Sequence, residues 1–235
     1  MKKLLFVLFF LSGSFHSFSQ ASNLGSWYSY LGTYKVHKRW NVQANTQFRF
    51  HNIIGDWDQF LGRVGANYKL DKKGNHSLGF GFDYFYTDAY IGDTDEKIDF
   101  NEFRIYEQYV TKSNYKRFYF QHRYRLENRF IEDQDVNFRF RYFLQTKLAL
   151  NKKRISDKTF YLALLNEVFW NIKGPQHFDR LWVHYTLGYQ LNKSWAFEVG
   201  NQTQFVGNGV YNSRLQFWAF HKLNLMKRKQ QERPR

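Results

Sequence analysis

The residues best suited to chemistry lie in one short segment, HRYRLENRF, at positions 122–130. Arg123, Arg125 and Arg129 alternate with apolar or aromatic residues, and Glu127 occupies the same alternating series. A guanidinium group stays charged and can donate paired hydrogen bonds to a carboxylate, so this series could build ion-paired cross-links. Guanidinium groups left without a carboxylate could instead guide anions. The segment therefore predicts either a network that only stabilises the fold or a narrow, anion-preferring path.

A period of two residues places the charged side chains on one face of a β-strand and the oily side chains on the other. The same alternation recurs along the chain, without sustained helical periodicity, and predicts strands of roughly 11 to 14 residues that could cross a bilayer at a tilt. The eleven candidate strands are 25–36, 40–52, 58–70, 76–86, 101–112, 117–130, 136–150, 160–172, 180–191, 195–206 and 213–225.

The segments between these strands alternate in charge along the chain. One set is basic, and the other is mostly acidic or neutral. An up-and-down meander would produce this alternation, because every second turn lies at the same end of the sheet. The basic set lies at 37–39, 71–74, 113–116, 151–158 and 192–193, and the other set lies around 56–58, 93–99, 132–135, 173–179 and 207–212.

Two architectures fit such strands: a soluble barrel with apolar residues inside, and a membrane barrel with apolar residues outside. We expect the second, an all-β, antiparallel, up-and-down transmembrane β-barrel. Arginines on the lipid side would cost about 2–4 kcal/mol each at mid-membrane, whereas Tyr124, Leu126 and Phe130 would cost little there. Arg63 belongs to the same inward row. The candidate lumen network is Arg49, Arg104, Arg123, Arg125, Glu127, Arg129, Arg139, Arg141, Glu167 and Glu198.

The N-terminus reads as a secretory signal peptide. Lys2 and Lys3 precede an apolar run at 4–11, and small residues follow near a cleavage site before Gln20. We therefore expect a signal peptide at 1–19, a barrel at 20–225 and a basic tail at 226–235. This export, together with the strand length and the charged inner row, makes the cell outer membrane the predicted location.

Composition narrows the function classes. The chain of 235 residues has no cysteine, which excludes disulfides, and it is 21% aromatic with a net charge of +15. Because the basic residues spread over strands and turns instead of forming one stripe, we expect no nucleic-acid partner. The expected partners are outer-membrane lipid, lipopolysaccharide, the barrel assembly machinery and a small solute that the sequence does not identify.

The alternating pattern does not determine the number of strands in the barrel. Bacterial single-chain barrels have even strand numbers with both termini in the periplasm. Eleven candidates therefore imply ten to twelve strands, and we favour twelve slightly. Glu107 also conflicts with the pattern, because it falls among Phe103, Ile105 and Tyr109 on the oily row. We expect a β-bulge to return it to the lumen.

The segments HRYRLENRF, FRFRYFLQTKLAL, LLNEVFWN and FDRLWVHYTLGYQLNKSWAFEVGNQTQF resemble an uncharacterised barrel family of Gram-negative envelopes, catalogued as domain of unknown function 2490. The resemblance covers nearly the whole mature chain and implies an outer-membrane β-barrel with no assigned activity. Barrels of this kind often finish on an aromatic residue. Here MKRKQQERPR follows, so the assembly signal would sit at Phe220 or Leu225.

An outer-membrane lipase or protease is the alternative function. His122 and His221 lie on the oily row without a nucleophile at a suitable offset, and His177 with Asp179 forms only a potential rim pair. An acidic loop at 93–99 could hold a divalent cation, although a solvated loop is the simpler interpretation. We therefore expect no catalytic site, cofactor or metal. The sequence predicts an envelope structural or small-solute transport protein with an arginine-rich, largely filled lumen.

Overall fold

The computed structural model describes residues 24–92, 94–207 and 211–226, which form one all-β body. The proposed signal peptide and nearly all of the basic tail lie outside the described residues. No helix among the described residues is long and apolar enough to cross a membrane. The strands are β1 (Gly25–Lys35), β2 (Trp40–Phe50), β3 (Trp57–Lys69), β4 (His76–Tyr90), β5 (Lys97–Tyr115), β6 (Phe118–Ile131), β7 (Asn137–Ala149), β8 (Thr159–Asn171), β9 (Phe178–Gln190), β10 (Trp195–Val206) and β11 (Tyr211–Asn224).

The strands form a closed barrel, which confirms the predicted fold class. Each strand pairs in antiparallel fashion with the next one along the chain. The barrel closes where β1 and β11 pair in parallel, from Gly25 opposite Arg214 to Lys35 opposite Asn224. Closure gives every strand two neighbours, so the sheet has no open edge.

The described residues contain eleven strands, within the predicted range of ten to twelve and one fewer than the favoured twelve. In a meander with an odd number of strands, the first and last strands run in the same direction. The seam must then be parallel, and a parallel pair still forms evenly spaced hydrogen bonds. As a consequence, Gly25 and Asn224 lie at opposite ends of the barrel, not at the same end as an even number requires.

The two ends of the barrel differ in charge. The turns at 36–39, 70–75, 116–117, 150–158 and 191–194 share one end, and we call this the basic end because lysine and arginine dominate it. The turns after β2, β4, β6, β8 and β10 share the other end, which we call the acidic end. The basic and the acidic turns alternate along the sequence, and the fold therefore gathers them at opposite ends of the barrel.

Polar side chains fill the barrel, and apolar side chains cover its outside. On β6, Arg125 and Glu127 are 2% and 1% exposed, whereas the intervening Tyr124 and Leu126 are 41% and 49% exposed. This distribution is the reverse of a soluble domain, in which charged residues are almost never fully buried unless paired. The predicted inward orientation of the arginine row is confirmed.

The expected bulge at Glu107 is wrong. The ladder between β5 and β6 runs without a register shift and places Glu107 opposite Leu126, while β4 places Phe80 on its other side. Because the side-chain period is two, an uninterrupted ladder keeps Glu107 on the outer face with Ile105 and Tyr109. Its side chain is exposed there.

Two bulges occur elsewhere, both close to the acidic end. One leaves Asp58 of β3 out of the ladder with β2. The other leaves Asp179 of β9 out of the ladder with β8. An extra residue re-aims its neighbours, and the bulge in β9 thereby brings the Asp179 carboxylate close to Arg139 of the lumen.

Candidate functional site

Glu127 is the central carboxylate of the lumen. It projects from β6 and accepts hydrogen bonds from two arginines of β7, with Arg139 Nη2 at 2.7 Å and Arg141 Nη1 at 2.5 Å. Arg125 lies further away, with its Nη1 3.5 Å from Glu127 Oε1. The alternation of two neighbouring strands thus brings four of the expected network residues together.

Two further glutamates extend this network around the barrel wall. Glu167 on β8 accepts from Arg141 Nε at 2.9 Å and from Arg123 Nη2 at 2.7 Å. Arg141 therefore bridges Glu127 and Glu167. These side-chain ion pairs link β6, β7 and β8 in addition to the backbone hydrogen bonds between the strands.

Glu102 on β5 was not among the expected network residues. It receives paired hydrogen bonds from Arg104 at 2.6 and 2.7 Å and further ones from Arg129 at 2.5 and 3.1 Å. Glu102 stands two residues before Arg104, so the alternating parity of β5 was a signal that could have found it. Both of these arginines were expected in the lumen, and this carboxylate explains how they are neutralised.

Two aspartates complete the network and were also missed. Asp83 on β4 is fully buried and receives a bidentate pair from Arg63 at 2.6 and 2.7 Å. The bulge in β9 brings Asp179 to Arg139, with Nη1 3.0 Å from Oδ2, while Arg180 Nε lies 3.1 Å from Oδ1. A longer contact of 3.9 Å joins Arg125 Nη1 to Asp83 Oδ2, so that ion pairs link all seven strands from β3 to β9 into one network.

Aromatic rings form the second half of the lumen packing. Arg49 has no carboxylate partner among the described residues. Its guanidinium donates to Gln47 and Gln59 and stacks 3.8 Å from the centre of the Trp27 ring. Stacking on an aromatic face attracts a cation through the ring quadrupole. At least four other arginines stack on buried rings in the same way: Arg104 on Phe85, Arg123 on Phe143, Arg125 on Tyr106 and Arg141 on Phe169.

Glycines make room for one of these rings. Gly65 and Gly81 face the lumen on adjacent strands, and a Cβ added at either position would collide with the Tyr106 hydroxyl. Because β3 and β4 carry no side chain at these two positions, the Tyr106 ring fits against them. The Arg125 guanidinium carbon lies 3.9 Å from the centre of this ring.

Glu198 does not join the arginine network, contrary to the expected grouping. It lies on β10 and accepts from Lys147 Nζ at 2.6 Å, from Tyr161 Oη at 2.8 Å and from Thr186 Oγ1 at 3.0 Å. This separate cluster ties β7 to β10 on the basic side of the arginine network.

Three other lysines line the lumen near the basic end: Lys69, Lys112 and Lys222. Backbone hydrogen bonds join each of these strand ends to the basic-end turns. Among the described residues, none of the three ammonium groups has a hydrogen-bond or ion-pair partner. Sequence reasoning missed these residues because each falls at the end of its strand, where the alternation is weakest.

A cavity of about 750 Å³ lies in the lumen. Its lining includes Lys73 and Lys222 from the basic end and Gln134 and Arg180 from the acidic end. Among the described residues, nine arginines, five lysines and three glutamates line it. The fully buried Glu127 and Asp83 lie behind the arginines. A solute in this cavity would therefore meet a strongly cationic surface.

Charge pairs also order the acidic end outside the lumen. Lys97 Nζ lies 2.8 Å from Asp56 Oδ1 and 3.2 Å from Asp88 Oδ2, and Tyr90 donates to Asp56 at 2.9 Å. Partial burial raises the pKa of Asp56, but the hydrogen bonds from Lys97 and Tyr90 outweigh this effect and leave the pKa below its ordinary value. This contact fastens the turn after β2 to the start of β5.

The histidines weighed as catalytic candidates have other partners. His122 shares a hydrogen bond of 2.9 Å with the Tyr142 hydroxyl on the outer face. His221 is stacked on a tryptophan ring and shares a hydrogen bond of 2.9 Å with the Tyr30 hydroxyl. His177 lies 3.0 Å from a backbone carbonyl oxygen, and Asp179 contacts arginines instead. No cluster of three potential metal ligands occurs among the described residues, and Asp93 of the acidic loop lies outside them.

Comparison with known proteins gives one match. The model of a family described as "Protein of unknown function (DUF2490)" matches residues 24–213, a range that begins just before β1 and ends within β11. No curated protein and no solved structure is significantly similar to the chain.

Proposed function

Because this chain belongs to the DUF2490 family, whose description assigns no function, we propose a function from the geometry of its lumen. The protein is an outer-membrane β-barrel without catalytic activity that passes small anions through a narrow, cation-lined path. Outer-membrane lipid and lipopolysaccharide surround it, and the barrel assembly machinery inserts it.

The membrane location is supported by the chemistry of the outer face. Apolar and aromatic side chains cover the strands, and the closed sheet pairs every strand edge, as a hydrocarbon environment requires. Fractionation of cells that produce the chain should recover it with the outer membrane. Recovery in the soluble fraction without detergent would contradict this location.

The anion preference rests on one observation: fourteen basic side chains and three carboxylates line the cavity. Rings of like charge in a narrow pore exclude ions of the same sign. The arginine network fills the middle of the lumen, so we expect a small conductance in place of a wide porin channel.

Planar-bilayer recording tests this proposal. The purified, refolded chain should give discrete small currents, and its reversal potential in a KCl gradient should favour chloride. Lys222→Glu should reduce the preference for chloride, whereas Lys153→Glu, in a turn outside the lumen, should leave it unchanged. A silent bilayer, or a preference for potassium, would contradict the proposal.

A purely structural envelope role is the second candidate, because ion pairs cross-link seven consecutive strands from β3 to β9. Such a network would give a rigid barrel even without transport. A correctly folded chain that resists denaturation but conducts no ions would favour this role.

A further inference from the structure

The basic end of the lumen holds a group of cations that form no ion pair with any residue that the structure describes. Lys69 on β3, Lys112 on β5 and Lys222 on β11 line the same cavity as Lys147. Lys112 lies within electrostatic range of all three of these lysines. We call the space between Lys69, Lys112 and Lys222 the lysine vestibule.

The carboxylate of Glu198, which lines the same cavity, is already engaged. Glu198 accepts from Lys147 at 2.6 Å and from two hydroxyl groups at 2.8 and 3.0 Å. It therefore compensates Lys147 and leaves the other three ammonium groups without a counter-charge among the described residues. Like charges gathered on a common cavity repel one another, so an anion that sits between them relieves this repulsion.

Hydrogen-bond donors border the lysines. Gln121 stands opposite Lys112 in the ladder between β5 and β6, and Gln145 stands opposite Gln121 in the next ladder. One step deeper on β6 is Arg123, whose Nε is buried without a hydrogen-bond partner. The vestibule thus combines flexible point charges on its walls with a guanidinium group at its floor.

We propose that the lysine vestibule binds a multiply charged anion that carries phosphate groups. Lysine ammonium groups bind phosphate as point charges, and several of them on separate strands match a ligand with several negative oxygens. The lumen cavity as a whole, about 750 Å³, has room for such an anion. This inference rests on the proposed function, because it names the class of anion that the lumen receives.

Calorimetric titration with tripolyphosphate tests the site. The full chain, refolded in detergent at low salt, should bind one tripolyphosphate saturably. Replacing Lys69, Lys112 or Lys222 singly by Gln should weaken binding by about 5-fold, and the triple variant should weaken it by about 100-fold.

The matched control replaces Lys38, Lys153 and Lys193 by Gln. These lysines are exposed in turns at the same end, so the control removes the same total charge from outside the lumen. The high dielectric constant of the water around these turns should keep its affinity within about 2-fold of the wild type. Absence of saturable binding in the wild type, or an equal loss in the control, would overturn the inference. The triple variant should keep the wild-type circular dichroism spectrum, which shows that the barrel is folded.

The result separates this inference from the proposed channel. Tripolyphosphate binding without conductance would retain the site and remove the channel, whereas chloride conductance without tripolyphosphate binding would remove the site alone.

A further titration in micelles that contain phosphatidylglycerol identifies the source of the phosphate. Displacement by the lipid would assign a lipid headgroup, and undiminished binding would assign a soluble phosphorylated compound. Both results retain a phosphate site.

Discussion

Two glutamates on neighbouring strands occupy opposite surroundings. Glu127 of β6 and Glu107 of β5 belong to successive rungs of one ladder, where Tyr106 faces Glu127 and Glu107 faces Leu126. Glu127 points inward to two arginines at 2.7 and 2.5 Å, whereas Glu107 points outward beside apolar side chains.

The face of the sheet, and not the residue type, therefore decides what a charge does in this barrel. The lumen gives a carboxylate several guanidinium partners, and the outer surface gives it none among the described residues. The same contrast separates the paired Lys147 from the unpaired lysines of the vestibule. Substitutions at Glu127, Glu107, Lys147 and Lys112 should therefore change the stability of the barrel by different amounts and in different directions.

The largest expected effect is at Glu127. Glu127→Gln should lower the free energy of unfolding by about 3–5 kcal/mol, because it leaves Arg139 and Arg141 buried without their shared carboxylate. Urea unfolding of the barrel in lipid vesicles measures this change. Glu96→Gln, at an exposed turn position, makes the same chemical change and should have little effect. A Glu127→Gln variant as stable as the wild type would show that the network does not hold the wall together.

The opposite sign is expected at Glu107. If the outer face lies in hydrocarbon, Glu107→Leu should raise the free energy of unfolding in lipid vesicles by about 2 kcal/mol, because it removes a charge from the lipid surface. Ile105→Leu on the same row serves as a control and should change little. A loss of stability in Glu107→Leu would instead indicate that Glu107 has a polar partner in the membrane.

These two glutamates also show how far sequence reasoning reaches. Alternation is a local property, so it placed Arg123, Arg125 and Glu127 on the inner face without knowledge of the fold. Alternation also placed Glu107 on the outer face, which is correct. The prediction failed only because we added a bulge to move this glutamate away from the apolar row. Local periodicity was the more reliable guide because an uninterrupted ladder preserves it.

Partner choice was beyond the sequence for a physical reason. Asp83 reaches Arg63, and Glu102 reaches Arg129, through the register between strands, which turn geometry and closure of the barrel determine together. Asp179 reaches Arg139 only because a bulge alters its direction. The parallel seam likewise depends on an odd strand count, which no single strand reveals.

A smaller contrast is expected among the lysines. Lys147→Ala should cost about 1.5 kcal/mol, because Glu198 loses its charged partner in a buried site. Lys112→Ala should instead stabilise the barrel by about 0.5 kcal/mol, because it relieves repulsion between unpaired ammonium groups. Urea unfolding at low salt compares the two variants, and added salt should shrink the gain in Lys112→Ala. Equal losses in both would mean that Lys112 has a stabilising contact as well.

The smallest effect belongs to the charge pair at the acidic end, where solvent weakens the interaction between Lys97 and Asp56. The pKa of Asp56 lies below its ordinary value of 3.8 in the folded chain. Its contribution to stability should therefore be complete above pH 3.8 and disappear as the pH falls through the lower folded value. Unfolding midpoints at pH 5 and pH 3 should show a larger decrease in the wild type than in Asp56→Asn, which has no carboxylate to protonate. Identical pH profiles for the two proteins would show that this contact orders the turn without stabilising the barrel.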